Sequence, residues 1–148
     1  MVYQVTKTYG PEQGLSAAFR QWRAESHCRF IHGYALGFKF TFECEDLDAR
    51  NWCVDFGGLK GLKGILQENF DHKLLVAEDD PRIGDLMYMG QLGLAQIIVL
   101  PSVGCEKFAE YVYQVTKQWL YDAGFSPRCK LVQVEVFEHA GNSAIYKE

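Results

Sequence analysis

Alternation dominates the first third of the chain. Tyr3, Val5, Lys7 and Tyr9 fall on one parity against Gln4, Thr6 and Thr8, which predicts a strand over Tyr3–Tyr9. Gly10-Pro11 and Gly14 interrupt it, and Leu15–Phe19 is expected to resume it after a loop. From Tyr34 the period of two returns in its clearest form. Leu36, Phe38, Phe40, Phe42 and Cys44 share one face, with Gly37, Lys39, Thr41 and Glu43 on the other. If that strand begins as early as His32, both His32 and Tyr34 project to the buried side. Glu45–Asn51 reads as a polar turn, and Trp52–Phe56 as a short strand returning from it in a hairpin.

Helical spacing then takes over. Gly57-Gly58 opens a helix whose apolar positions are Leu59, Leu62, Ile65, Leu66 and Phe70, with Lys60, Lys63, Gln67 and Glu68 opposite. Gly61 and Gly64 each cost up to ~1 kcal/mol relative to Ala, so packing has to hold this helix. Glu78-Asp79-Asp80-Pro81 starts an acidic loop. The region 78–96, rich in Met, Leu and Gly, reads as a long connection over a pocket or an interface. Gln96–Pro101 is a short apolar strand stopped by proline. A second helix spans Cys105–Asp122, with Phe108, Val112, Val115 and Trp119 as its stripe and Gly124 as its cap. Val132, Val134, Val136 and Glu138 share one face of a last strand, Lys130–Glu138. The expected order is strand, strand, strand, helix, short strand, helix, strand. That is an α+β domain, an antiparallel sheet with two helices on one face.

Composition narrows the function classes. A length of 148 residues suits one domain over 1–148. A net charge of −4 with no basic run argues against nucleic acid and anionic membranes as partners. No apolar stretch approaches ~18 residues and no leader pattern opens the chain, so a cytoplasmic protein is expected. Aromatics at 14% suit a stacking pocket for a flat ligand or broad subunit contacts. Cys44, Cys53, Cys105 and Cys129 lack any Cys-x-x-Cys spacing and read as reduced core residues. Cys28 differs: Glu25, Ser26, His27, Arg29 and His32 surround it, and cationic neighbours raise a thiol's thiolate fraction.

The chemistry concentrates in Cys28-Arg29-Phe30-Ile31-His32-Gly33-Tyr34, where a thiol, an imidazole and a phenol precede the long strand. A His-x-His here would aim two imidazoles at one metal ion. Tyr34 holds the second place, and a phenol titrating near ~10 is a poor zinc ligand at neutral pH. Cys-x-x-x-His-Gly before a strand is followed in order by Val54-Asp55-Phe56 with Leu59-Lys60, then Asp71-His72 with Leu74-Leu75. Glu106-Lys107-Phe108-Ala109 and Glu138 complete the series. In these motifs the chain resembles the 6-pyruvoyl-tetrahydropterin synthase and 6-carboxy-tetrahydropterin synthase family, from about Leu15 to Tyr146.

The resemblance implies the tunnelling fold (T-fold) with a four-stranded antiparallel sheet, and a homohexamer or other ring with active sites between subunits. It also implies lyase chemistry on 7,8-dihydroneopterin triphosphate or a related pterin, the 6-carboxy branch serving queuosine and other deazapurine biosynthesis. Cys28 would exchange protons on the substrate side chain, Asp71 and His72 would form a relay, and Glu138 would anchor the pterin. Glu106 would lie near the substrate or simply favour the helix dipole. Zinc is the family's metal, and no organic cofactor is implied. Of its three ligand positions only His32 keeps histidine; Phe19 and Tyr34 occupy the others. Either no zinc is tightly bound, or a rearranged site recruits His27 and Glu25. Tyr34 would then donate a hydrogen bond to a developing oxyanion. Two rival readings are a non-catalytic pterin- or nucleotide-binding ring and a metal-independent enzyme acting on a related pterin.

Overall fold

Two four-stranded sheets share one core in the computed structural model, which describes residues Met1–Glu148. The larger sheet is antiparallel throughout, in the order β1 (Tyr3–Tyr9), β4 (Gly37–Cys44), β7 (Lys130–His139), β8 (Asn142–Lys147). The smaller runs β3 (His32–Ala35), β2 (Ser16–Phe19), β5 (Lys73–Ala77), β6 (Ile97–Leu100). In it β2 and β3 are antiparallel, while β2–β5 and β5–β6 are parallel. Three helices connect them: α1 (Lys60–Phe70), α2 (Ile83–Gln91) and α3 (Cys105–Asp122). None is long and apolar enough to cross a membrane.

The alternation in β4 buries Phe38, Phe40 and Phe42 completely. At about 1.5–3 kcal/mol per fully buried large side chain, this strand is the centre of the core. Phe70 at the end of α1 packs on Phe38 at 4.9 Å and on Phe108 of α3 at 5.7 Å, so both helices cover one face of the large sheet. Phe108 in turn meets Phe19 of β2 edge-on at 5.0 Å, tying the small sheet to the same core.

Several expectations change. The strand expected from His32 to Cys44 breaks at Leu36, whose N–H turns to the Leu15 carbonyl (3.0 Å), and its halves join different sheets. Leu15–Phe19 likewise joins the small sheet and does not resume β1. Trp52–Phe56 is not a strand. The Asp48 carboxylate takes the N–H groups of Arg50 (2.8 Å) and Trp52 (3.0 Å), and the Asp55 carboxylate takes that of Gly57 (2.9 Å). These local bonds satisfy backbone that a hairpin would need. The 78–96 region is not loop: it contains α2, whose Leu86 packs on Leu74 and Val76 on the far side of the small sheet. The helices therefore do not all lie on one face. In β7 a bulge opposite Thr41–Phe42 brings Leu131 into the core in place of Val132. β5 and β8 add two strands to the expected order.

Gly61 and Gly64 prove unlike. A Cβ at Gly61 would lie 2.8 Å from Trp119 Nε1, whereas one at Gly64 meets nothing within 4 Å. In urea denaturation, Gly64→Ala is expected to stabilise the protein by up to about 1 kcal/mol, and Gly61→Ala to destabilise it. Equal shifts for both would contradict this packing.

Candidate functional site

Pairing of β2 with β3 sets Phe19 opposite His32 and Ala17 opposite Tyr34. Gly33 between them is required by space, since a Cβ there would lie 2.8 Å from the Ala17 carbonyl oxygen. With strand alternation, His32 and Tyr34 emerge on one side of β3. Their rings are 5.5 Å apart and nearly perpendicular, and the Phe19 ring lies 5.1 Å from His32 and 6.2 Å from Tyr34. His32 Nδ1 is 2.7 Å from the Phe30 carbonyl. A carbonyl only accepts, so Nδ1 carries the proton and Nε2 keeps its lone pair.

Three side chains thus converge where the resemblance expects three zinc ligands, but they offer one imidazole, one phenol and one hydrocarbon ring. Neither His27 nor Glu25 repairs this. Nowhere in the chain are three His, Cys, Asp or Glu side chains grouped so as to hold a metal ion. The donor set does not fit zinc, which takes thiolate, imidazole or carboxylate ligands in threes or fours.

Cys28 sits half-buried on the single 3-10 turn His27–Arg29, whose start is capped by Ser26 Oγ accepting the Cys28 N–H (3.3 Å). Its carbonyl accepts the Gln21 N–H (2.9 Å). The Gln21 side chain reaches Gly104, a residue at φ +117 where a Cβ would lie 2.5 Å from Gln21 Nε2. This contact brings the Cys28 segment beside the start of α3, where Cys105 is buried. Glu138, half-buried, falls at a register irregularity between Phe137 and His139, a place where strands re-aim side chains. Burial first, then the Glu138 carboxylate, raises the Cys105 thiol to about 12. Burial first, then Glu138, Cys28 and Cys105, likewise raises the Tyr34 phenol above its ordinary value. Cys28, Tyr34, Cys105 and Glu138 therefore form one cluster, in which Cys105 is a neutral thiol and Tyr34 a hydrogen-bond donor. Glu106 lies exposed in the first turn of α3.

Cys105 is the member that sequence reasoning assigned to the core. Its one signal was its place beside Glu106 at the helix start. Of the remaining thiols, Cys44, Cys53 and Cys129 are buried as expected; burial and contact with Cys44 and Cys129 raise the Cys53 thiol.

Asp71 and His72 form a real pair: Asp71 Oδ1 accepts from His72 Nδ1 at 2.5 Å, which leaves Nε2 free on a ring 83% exposed. His72 adopts a left-handed backbone (φ 57) and gives its N–H to the Ser16 carbonyl (2.7 Å) as the chain leaves α1 for β5. That anchors it at the start of β2, whereas Cys28 is bonded to Gln21, beyond its other end. At ~3.3 Å per residue, five residues separate the anchors by roughly 16 Å. The structure sets the anchors of Cys28 and of Asp71–His72 apart along β2 within one chain.

An open groove of about 520 Å³ lies between Phe30-Ile31 and α2, with Arg20, Arg29, Arg82, Asp85, Leu86 and Met89 on its walls. Phe30 is 58% exposed there.

Known proteins resemble the chain in sequence and in fold. The curated 6-carboxy-5,6,7,8-tetrahydropterin synthase of Aquifex aeolicus is 27% identical over 99% of this chain and 90% of its own length. That of Rickettsia bellii is 36% identical over 40% of this chain and 44% of its own length. Among solved structures, an uncharacterized protein of Wolinella succinogenes superposes with a TM-score of 0.85 at 19% identity, covering 100% of this chain and 99% of that one. The 6-pyruvoyl tetrahydropterin synthase of Plasmodium falciparum superposes with a TM-score of 0.69 at 14% identity, covering 99% and 98%. Structural likeness at such identities speaks for the fold, here the T-fold. A family model described as 6-pyruvoyl tetrahydropterin synthase matches residues 10–148, nearly the whole chain, and the chain belongs to that family.

Proposed function

We propose that this chain is a pterin-processing lyase similar to 6-carboxy-tetrahydropterin synthase, acting on 7,8-dihydroneopterin triphosphate or a related pterin. The observation that carries the reading is that Glu138 of β7 and Cys28 both act on the Tyr34 phenol of β3, so that segments far apart in the chain meet there. A half-buried carboxylate needs donors, and the amino and ring N–H groups of a 2-aminopyrimidinone edge supply two at matching spacing. Glu138 would hold that edge. Cys28 would then exchange protons on the substrate's side chain. His72, oriented by Asp71, is suited to take or return a proton through its free Nε2. Its distance from Cys28 in one chain calls for the pair to come from a neighbouring subunit.

A ring accounts for the surfaces as well. The outer strands β1 and β8 expose Tyr3 and Ile145 on sheet edges, which a ring would pair. Five unpaired cysteines fit a reducing, cytoplasmic setting.

Glu138→Ala is expected to weaken dihydroneopterin binding at least tenfold by calorimetry, the lower range for losing both hydrogen bonds to a charged acceptor. Unchanged affinity would refute the anchor. Phe19 at a ligand position favours a second reading, a pterin-binding ring without chemistry. Assay of the wild-type protein for loss of triphosphate separates the two, because only the lyase consumes substrate.

A further inference from the structure

We infer that His32 and Tyr34 hold the side-chain oxygens of the pterin directly, as a paired acceptor and donor, and that this chain works without a metal ion at that place. The inference rests on the pterin reading above and deepens it. Three features of the β2–β3 pair support it. The Phe19 ring is only 1% exposed and is fixed edge-on to Phe108 at 5.0 Å. It cannot leave to admit another ligand without opening the core, and it supplies no lone pair itself. His32 has its Nδ1–H committed to the Phe30 carbonyl, so Nε2 can only accept from a neutral partner. Tyr34, two residues on and on the same side, presents a hydroxyl that donates, with the two rings 5.5 Å apart.

One acceptor beside one donor is the complement of a hydroxyl beside a carbonyl, or of two neighbouring hydroxyls. The pair therefore selects pterins whose side chain carries vicinal oxygens. A metal ion at this position would need two more ligands than His32 offers, and no set of three His, Cys, Asp or Glu side chains that could hold one includes it. Hydrogen bonds then do the orienting that a metal ion would do, and polarise the oxygens less strongly.

Two measurements test this without relying on turnover. Protein purified with neither tag nor chelator is expected to contain far less than one zinc per chain. Phe19→His/Tyr34→His, which sets three imidazoles where the rings converge, is expected to take up about one zinc per chain. A wild-type content near one zinc per chain that His32→Ala abolishes would overturn the inference alone, as would a folded double variant that stays empty. The second measurement compares neopterin with unsubstituted pterin. Tyr34→Phe should weaken neopterin about five- to tenfold, the usual worth of one hydrogen bond, and leave unsubstituted pterin unchanged. Equal effects on both ligands, or none on either, would sink the pairing. This comparison stands even if the double variant fails to fold. Wild-type protein that binds neither ligand would bring down the pterin reading and, with it, the side-chain assignment.

Discussion

Cys28→Ala and His72→Asn proteins are each expected to lose turnover by roughly 10²-fold or more, and to regain part of it when the two are co-expressed in one cell. Cys28 is anchored to Gln21 and His72 to Ser16, at opposite ends of β2. On the proposed reading the two groups therefore meet at one substrate across subunits. In a ring built by one repeated contact, the Asp71–His72 end of one subunit can face the Cys28 cluster of the next. A mixed oligomer then contains interfaces in which an intact Cys28 meets an intact His72. Random mixing makes these about a quarter of the total, so activity should return to about that share of wild type. Asn is the substitution of choice because His72 has φ 57, a conformation that Asn tolerates and most residues do not. Both variants should keep their affinity for pterin, since Glu138 is untouched. Mixed oligomers as inactive as their parents, while still binding pterin, would mean that the two groups do not meet in one site across subunits.

Much of this arrangement could be read from local pattern, and what could not had a physical cause. The β4 strand and α3 were legible because Phe38, Phe40 and Phe42 repeat at period two and Phe108 and Val112 at helical spacing, each with one buried face. β5 was not: Leu74, Leu75, Val76 and Ala77 are all buried, so no alternation marks them as a strand. α2 was hidden because Gly84 and Gly90 are poor helix formers and only Leu86 among its residues is buried. At the site, the motif residues named Cys28, His32, Tyr34 and Glu138 without placing them. Their convergence depends on the β2–β3 register and on the Gln21–Gly104 contact, which join segments far apart in the chain. Cys105 was missed because a buried thiol looks like any core residue until Glu138 is found beside it. That Asp71 and His72 touch could not be foreseen either, since adjacency in sequence does not fix side-chain direction. The left-handed backbone at His72 is what the neighbouring strand contributes.

Asp80→Asn is expected to destabilise the fold by about 3 kcal/mol or somewhat more, the low end of the cost of stripping one partner from a buried ion pair. Asp80 receives Arg20 through two bonds, Nε to Oδ2 at 2.8 Å and Nη2 to Oδ1 at 3.1 Å, and also accepts the Arg82 N–H at 2.8 Å. Its side chain is 1% exposed and that of Arg20 is 23% exposed, so water compensates little on one side and only partly on the other. The neutral amide keeps the shape but leaves the guanidinium without its counter-charge. Arg20 directly follows Phe19, and its Nη1 also reaches the Arg29 carbonyl at 3.4 Å. The same bond network therefore holds the turn that carries Cys28, and turnover should fall further than the folded fraction alone explains. Asp79→Asn is the control. Asp79 binds Trp22 and Arg23 on the open surface, where charge pairs contribute little, so its stability should barely move. Replacing Arg20 and Asp80 together by Met and Leu should cost less than Asp80→Asn alone, because no unpaired charge remains. Urea denaturation of the four proteins decides it. A double variant less stable than Asp80→Asn would mean that the unpaired Arg20 charge is not what the single change costs.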